Sequence, residues 1–138
     1  MRLPGALTSF LRLSGRAHAA LHRRLGAKLA GRSVLLLTTR GRRSGRPVTT
    51  PLFYVREGEH LYVVASFLGS DREPGWLLNI RHDPEVDVEV AGTRQRRRAR
   101  ELPVGESAPI WPKLLAVWPA YAAYQKRTTR RIPIVELS

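Results

Sequence analysis

The chain has 138 residues and no cysteine, enough for one domain with a real core, too short for two catalytic domains, and without disulfides, thiolate metal sites or a cysteine nucleophile. Hydrophobic residues make up 43% and charged residues 25%, and no apolar run approaches the roughly 18 residues that span a bilayer. The net charge of +13 is carried by residues 1–56, which hold 12 basic side chains and no acid, a field that attracts nucleic acid, an anionic membrane or a phosphorylated or carboxylated small molecule.

Residues 5–30 read as a basic amphipathic helix. Leu3, Leu7, Phe10, Leu11, Leu21, Leu25 and Leu29 share one face of a helical wheel, and Arg12, Arg16 and Arg23 the other. Arg12 and Arg16 interrupt any signal-like apolar stretch, so the segment is read as retained. Residues 33–39 (SVLLLTT) form a continuously apolar strand, 40–47 (RGRRSGRP) a loop rich in Gly and Arg, and 48–56 a second strand with Pro51 marking an edge or bulge. The turn at 57–59 leads into a third strand at 60–66, making a hairpin. A loop rich in breakers, 67–75, precedes a short helix over Gly75–His82. Strands at 86–90 and 94–102, a helix at 106–127 and a strand at 132–137 complete the pattern. Five or six mostly antiparallel strands joined by short turns predict a small barrel closed by helices, not a doubly wound sheet.

Four segments carry candidate chemistry. In the loop 38–46, two glycines allow tight turns, hydroxyls stand at Thr39 and Ser44, and arginines match phosphate or carboxylate oxygens two at a time. The loop is built like an anion cradle, though a solvated basic turn has the same composition. It lacks the spacing of a P-loop. The run Arg94–Arg100 looks like a nucleic-acid patch, but a two-residue turn at Gly92-Thr93 sets Glu89 opposite Arg96 and Asp87 opposite Arg98, so the plainer reading is a paired, solvated face. Trp111, Trp118, Tyr121 and Tyr124 fall broadly on one side of the last helix, a spacing that serves a core stripe or a surface for a flat ring. Gly75, Trp76 and Asn79 open the short helix, where free N–H groups and an aromatic ring stand together. No nucleophile, paired carboxylates or metal-ligand spacing appears, so an enzyme of this make-up needs its chemistry from a cofactor.

The segments LLLTTRGRRSGRPVTTPLFYV (35–55), LYVVAS (61–66), PGWLLNIRHDPEVDVEV (74–90), WPAYAAYQKRT (118–128) and RIPIVEL (131–137) together resemble, in order and spacing, the deazaflavin-dependent nitroreductase family. These are split β-barrel oxidoreductases that use the 8-hydroxy-5-deazaflavin coenzyme F420. The resemblance covers roughly residues 33–138 and implies an α+β, mainly β fold of the FMN-binding split-barrel type, with residues 1–32 as the basic helix and 33–138 as the cofactor-binding domain. By the same resemblance, Arg42, Arg43, Ser44 and Gly45 would hold the anionic tail of the cofactor. Ala65, Ser66, Gly75, Trp76 and Asn79 would line its groove. Trp118, Tyr121 and Tyr124 would form the substrate end, with the two tyrosines as catalytic candidates and Tyr121 as the group that orients or protonates the acceptor. The chain departs from the family at Phe67, Val48 and Trp118, where a small polar or lysine side chain, a basic side chain and a tyrosine are common.

The expected reaction is hydride transfer from reduced F420 to a quinone, nitroaromatic or conjugated carbonyl, in the cytoplasm. The amphipathic helix over 5–30 implies peripheral contact with an anionic membrane. The competing expectations are FMN as the cofactor of a related split barrel and a basic nucleic-acid-binding barrel without catalysis. The second is disfavoured because aromatics are not interleaved with the basic runs.

Overall fold

The computed structural model describes residues 28–29 and 32–138. Eight strands and four helices follow one another: β1 (Lys28–Leu29), β2 (Arg32–Arg40), β3 (Pro47–Phe53), β4 (Val55–Glu57), β5 (His60–Val64), α1 (Gly75–His82), β6 (Glu85–Val90), β7 (Thr93–Glu101), α2 (Val104–Ser107), α3 (Trp111–Val117), α4 (Ala120–Arg127) and β8 (Ile134–Leu137). Of the helix expected over 5–30, residues 5–27 lie outside the described residues. Its end is corrected: Lys28 and Leu29 are extended and pair with Ser33 and Arg32.

The sheet order is β1-β2-β6-β7-β8-β5-β4, with β3 on the other side of β2, and every pairing among the described residues is antiparallel. The expected strand at 48–56 is one stretch of extended chain serving both ends of this sheet. Residues 47–53 pair with β2 and residues 55–57 with β5. Tyr54 lies at the bend between them, its N–H directed at the Ser33 carbonyl at 3.4 Å. The sheet therefore curls back on itself as an α+β split barrel, as expected.

Burial explains the sequence patterns. β2 is apolar without alternation because Val34, Leu35, Leu36 and Leu37 are all buried. β5 also sends side chains to two cores. Leu61 and Val63 join Leu35, Leu37, Leu77 and Leu137 inside the barrel, while Tyr62 and Val64 pack with Leu114, Tyr121, Tyr124 and Ile134 beneath the later helices. A Leu→Ala change at sites like these costs about 2–5 kcal/mol.

The predicted helix over 106–127 is broken into α2, α3 and α4. Pro119 explains the second break: it disfavours helical backbone at Trp118, which sits at φ −144°, ψ 89°. The break removes Trp111 from the cavity-facing set, and it packs instead on the outer core. The strand predicted from residue 132 starts at Ile134.

The β6–β7 register is corrected by two residues. The turn is Ala91-Gly92, both left-handed at φ 50° and 85°, so Glu89 faces Arg94, Asp87 faces Arg96 and Glu85 faces Arg98. A shift of two preserves the face, and the pairing of charges survives: Asp87 bonds Arg94 at 2.8 Å and Arg96 at 3.0 Å, and Glu85 bonds Arg98 at 2.7 Å. The Arg94 hydrogen bond holds the Asp87 carboxyl below its usual range. Exposed pairs of this kind contribute roughly 0–1 kcal/mol each. Their consequence is electrostatic, since the arginine run is largely neutralised where it stands. Among the described residues no helix is long and apolar enough to cross a membrane.

Candidate active site

A cavity of about 440 Å³ opens between β3, the segment after β5, the start of α1 and α4. The β2–β3 loop closes one end. Gly41 N–H donates to the Arg46 carbonyl and Gly45 N–H to the Gly41 carbonyl, each at 2.8 Å. A Cβ on Gly41 would stand 2.6 Å from Ser44 Oγ, and Gly45 sits at φ 71°, so both positions need glycine. Ser44 Oγ accepts the Arg46 N–H at 3.1 Å and retains its own proton for a ligand.

Asn79 ties this loop to the barrel. It is 3% exposed. Its Nδ2 donates to Thr39 Oγ1 at 3.0 Å, while its Oδ1 accepts both the backbone N–H of Arg42 at 3.1 Å and Nη1 of Arg42 at 3.0 Å. Arg42 Nη1 also reaches the Gly75 carbonyl at 3.5 Å. The two cationic candidates thus divide: Arg42 is engaged in holding loop to helix, while Arg43 is exposed and meets no carboxylate among the described residues. α1 begins at Gly75 behind Pro74 with no side-chain cap, so N–H groups of its first turn stand open next to Arg42.

The other end is aromatic. Trp118 Nε1 donates to the Tyr124 hydroxyl oxygen at 3.1 Å, so that hydroxyl can still donate its proton elsewhere. Phe53 and Trp118 stack at 5.1 Å, and Tyr121 and Tyr124 meet edge to face at 6.1 Å. Burial, with a smaller contribution from Tyr124, pushes the Tyr121 hydroxyl well above the ordinary phenol range, so it is held in its protonated form.

Arg42, Arg43, Ser44, Ser66, Gly75, Trp76, Asn79, Trp118, Tyr121 and Tyr124 all line this one cavity. Gly45 and Ala65 do not. Gly45 borders a separate cavity of about 170 Å³ behind the loop. Ala65 is fully buried, with its N–H on the Pro133 carbonyl and its own carbonyl on Arg130. Sequence reasoning missed the wall formed by β3, from which Val48, Thr50, Pro51, Leu52 and Phe53 line the cavity. Among the described residues no carboxylate lines the cavity.

Comparison with known proteins gives a consistent result. A family model described as F420H(2)-dependent quinone reductase matches residues 10–138. An F420H(2)-dependent quinone reductase of Mycobacterium tuberculosis (strain ATCC 25618 / H37Rv) is 35% identical over 133 residues, covering 89% of this chain and 88% of that protein. A solved F420-H2 dependent reductase is 34% identical with a TM-score of 0.71, covering 76% of this chain and 93% of its own. A structure described as a domain-swapped dimer is 31% identical with a TM-score of 0.72, covering 89% and 97% respectively.

Replacing Asn79 strands three buried or half-buried polar groups at once. Asn79→Ala is expected to lower the unfolding free energy by about 2–3 kcal/mol. Asn79→Asp, which keeps the acceptor for Arg42 and loses the donor to Thr39, should fall between the two. Urea unfolding followed by tryptophan fluorescence checks both, and equal stability of Asn79→Ala and the wild type would dismiss the bridge.

Proposed function

The chain belongs to the F420H(2)-dependent quinone reductase family, and we propose that it carries a hydride from reduced coenzyme F420 to a quinone in the cavity described above. The carrying observation is the polarity of that cavity: cationic and rich in N–H donors at one end, aromatic at the other, with no carboxylate along it among the described residues. Such a lining fits a ligand with a polyanionic tail and a flat ring. Arg43, Ser44 and the first turn of α1 would hold the anionic part, with Arg42 fixed in support by Asn79. Trp76 and Ser66 would border the ring. When bound, the reduced deazaflavin supplies a hydride, two electrons at a time, from C5.

The remaining work belongs to the protein. Trp118, Tyr121, Tyr124 and Phe53 form an apolar wall that excludes water and orients a flat acceptor. Reduction of a quinone to its hydroquinone takes one hydride and one proton. The Tyr121 hydroxyl, kept protonated by burial, donates a hydrogen bond that orients the acceptor oxygen and stabilises the charge developing on it, and the proton itself comes from solvent. Tyr124, its oxygen fixed by Trp118 Nε1, donates to and orients the same acceptor. The same arrangement extends to nitroaromatic and conjugated carbonyl acceptors. A quinone lives in a membrane, and the basic amphipathic pattern of the sequence over 5–27 supports peripheral attachment to an anionic bilayer at its cytoplasmic face.

Four measurements test this reading. Because Trp76 and Trp118 line the cavity, titration with oxidised F420 should quench tryptophan fluorescence saturably, with FMN far weaker. Arg43→Ala should weaken F420 binding about tenfold and flatten its salt dependence. Unchanged binding would remove the loop from the site. Tyr121→Phe should keep F420 affinity and lower kcat about 100-fold. Since its raised pKa keeps the hydroxyl protonated, wild-type kcat should show no alkaline decline from this group up to pH 10, and a decline there that Tyr121→Phe abolishes would contradict the assignment. Finally, the full chain should co-sediment with anionic liposomes and residues 31–138 should not; equal partitioning would end the membrane proposal.

A further inference from the structure

Arg130 is a charged side chain that the cavity does not expose, yet it is wired into the cavity wall. Its Nε donates to the Ser70 carbonyl at 2.9 Å, and its Nη2 donates to the carbonyls of Ala65 at 3.1 Å and Ser66 at 2.9 Å. One guanidinium thus holds both ends of the turn that contains Ser66, Phe67 and Gly69. Thr128 adds a bond from its hydroxyl to Asp71 at 2.6 Å, fixing the chain beyond the turn to the same segment. Desolvation works against the charge on Arg130, and nearby Glu73 and Asp71 offset it. A guanidinium placed among carbonyls at such a cost has geometry to impose.

The clamped turn is strained. Phe67 sits at φ 42°, a left-handed conformation that a bulky aromatic residue adopts only when its surroundings force it. Gly69 sits at φ 82°, and a Cβ there would come within 2.9 Å of Tyr124 Cα, so the turn is pressed against α4 at the tyrosine that faces the cavity. The strain has a product. Phe67 is 45% exposed, one of the largest apolar side chains left open among the described residues, and it lines the cavity. Relaxed backbone at residue 67 would turn that ring elsewhere.

We propose that Arg130 is a positioning residue for the acceptor: by gripping the carbonyls of Ala65, Ser66 and Ser70 it holds Phe67 in its left-handed conformation, and the ring so placed sets affinity for a flat apolar quinone. This assignment rests on the reading of the cavity as a quinone reductase site. Arg130 acts through Phe67 and touches neither acceptor nor cofactor.

Two measurements on the full chain separate this role from simple stabilisation. The first needs no cofactor. The amides of Gly69 and Ser70 bond the carbonyls of Ser66 and Phe67 at 2.9 and 3.1 Å, and hydrogen exchange there should accelerate at least tenfold in Arg130→Met while the β6–β7 amides keep their rates. Unchanged exchange at Gly69 and Ser70 would overturn the clamp, whether or not the chain binds F420. The second is a double-mutant cycle on the KM for menadione, with F420 affinity read by fluorescence titration. Arg130→Met and Phe67→Gly should each raise KM about tenfold, and Phe67→Gly, which leaves Ser66 in place, should keep the F420 dissociation constant within twofold. Because both remove the ring from one station, the double variant should also be raised about tenfold. A hundredfold rise, the product of independent effects, would overturn the coupling, as would an unchanged KM in Arg130→Met. Failure of the functional reading itself shows differently, as a wild-type chain that neither binds F420 nor reduces menadione.

Discussion

A buried side-chain amide cannot be left half-satisfied, and Asn79 meets that demand by bonding three things that would otherwise be independent. Its donor takes Thr39 on β2, its acceptor takes Arg42 in the loop, and its own backbone belongs to α1. An unpaired polar group in such a position costs about 1–3 kcal/mol, so the three elements are obliged to meet at one relative position. That position places the open N-terminus of α1 beside the cationic loop. The cationic end of the cavity is therefore a by-product of satisfying one amide: Arg42 carries the structural load, and Arg43 meets no carboxylate among the described residues.

The same economy explains how a chain of net charge +13 focuses its field. In β7, Arg94, Arg96, Arg98 and Arg100 all stand beside carboxylates from β6, α2 or β8. Arg81 is held between Glu73 and Glu101. These pairs add little stability, but they cancel charge locally, within a Debye length of about 10 Å. The β2–β3 loop has no acidic neighbour in its own stretch of sequence, and among the described residues Arg43 meets no carboxylate, so the charge beside the cavity is not cancelled in this way. The run that most resembled a nucleic-acid patch is the quieter one.

What could be read from the sequence followed where side-chain identity carried the information. The loop, the helix at Gly75–His82 and the cavity roles of Trp76 and Asn79 rest on glycines, prolines and polar groups whose types are diagnostic. The β6–β7 turn was misplaced because alanine rarely takes positive φ, so Gly92 looked like its first residue when it is its second. The aromatic spacing over 106–127 reads as one long helix because it continues through Pro119 while the backbone does not. Arg130 was invisible for a deeper reason. Its partners are main-chain carbonyls, which every residue possesses, so no pattern of residue types announces the contact.

The two walls of the cavity are consequently held by different physics. On the β3 side, Val48, Thr50 and Leu52 project from a strand locked by a seven-residue ladder against β2, with Thr38 and Thr49 bonded across it at 2.8 Å. A ladder of that length shifts only as a unit, and a slip of one residue would turn every side chain to the other face. On the opposite side, Phe67 projects from a three-residue turn whose shape depends on one guanidinium and one close-packed glycine. Substitutions in such a turn leave the ladder and the Asn79 bridge untouched. The fold can thus keep the wall that meets the cationic loop constant while the wall beside Tyr124 varies, so the two ends of one cavity can change independently.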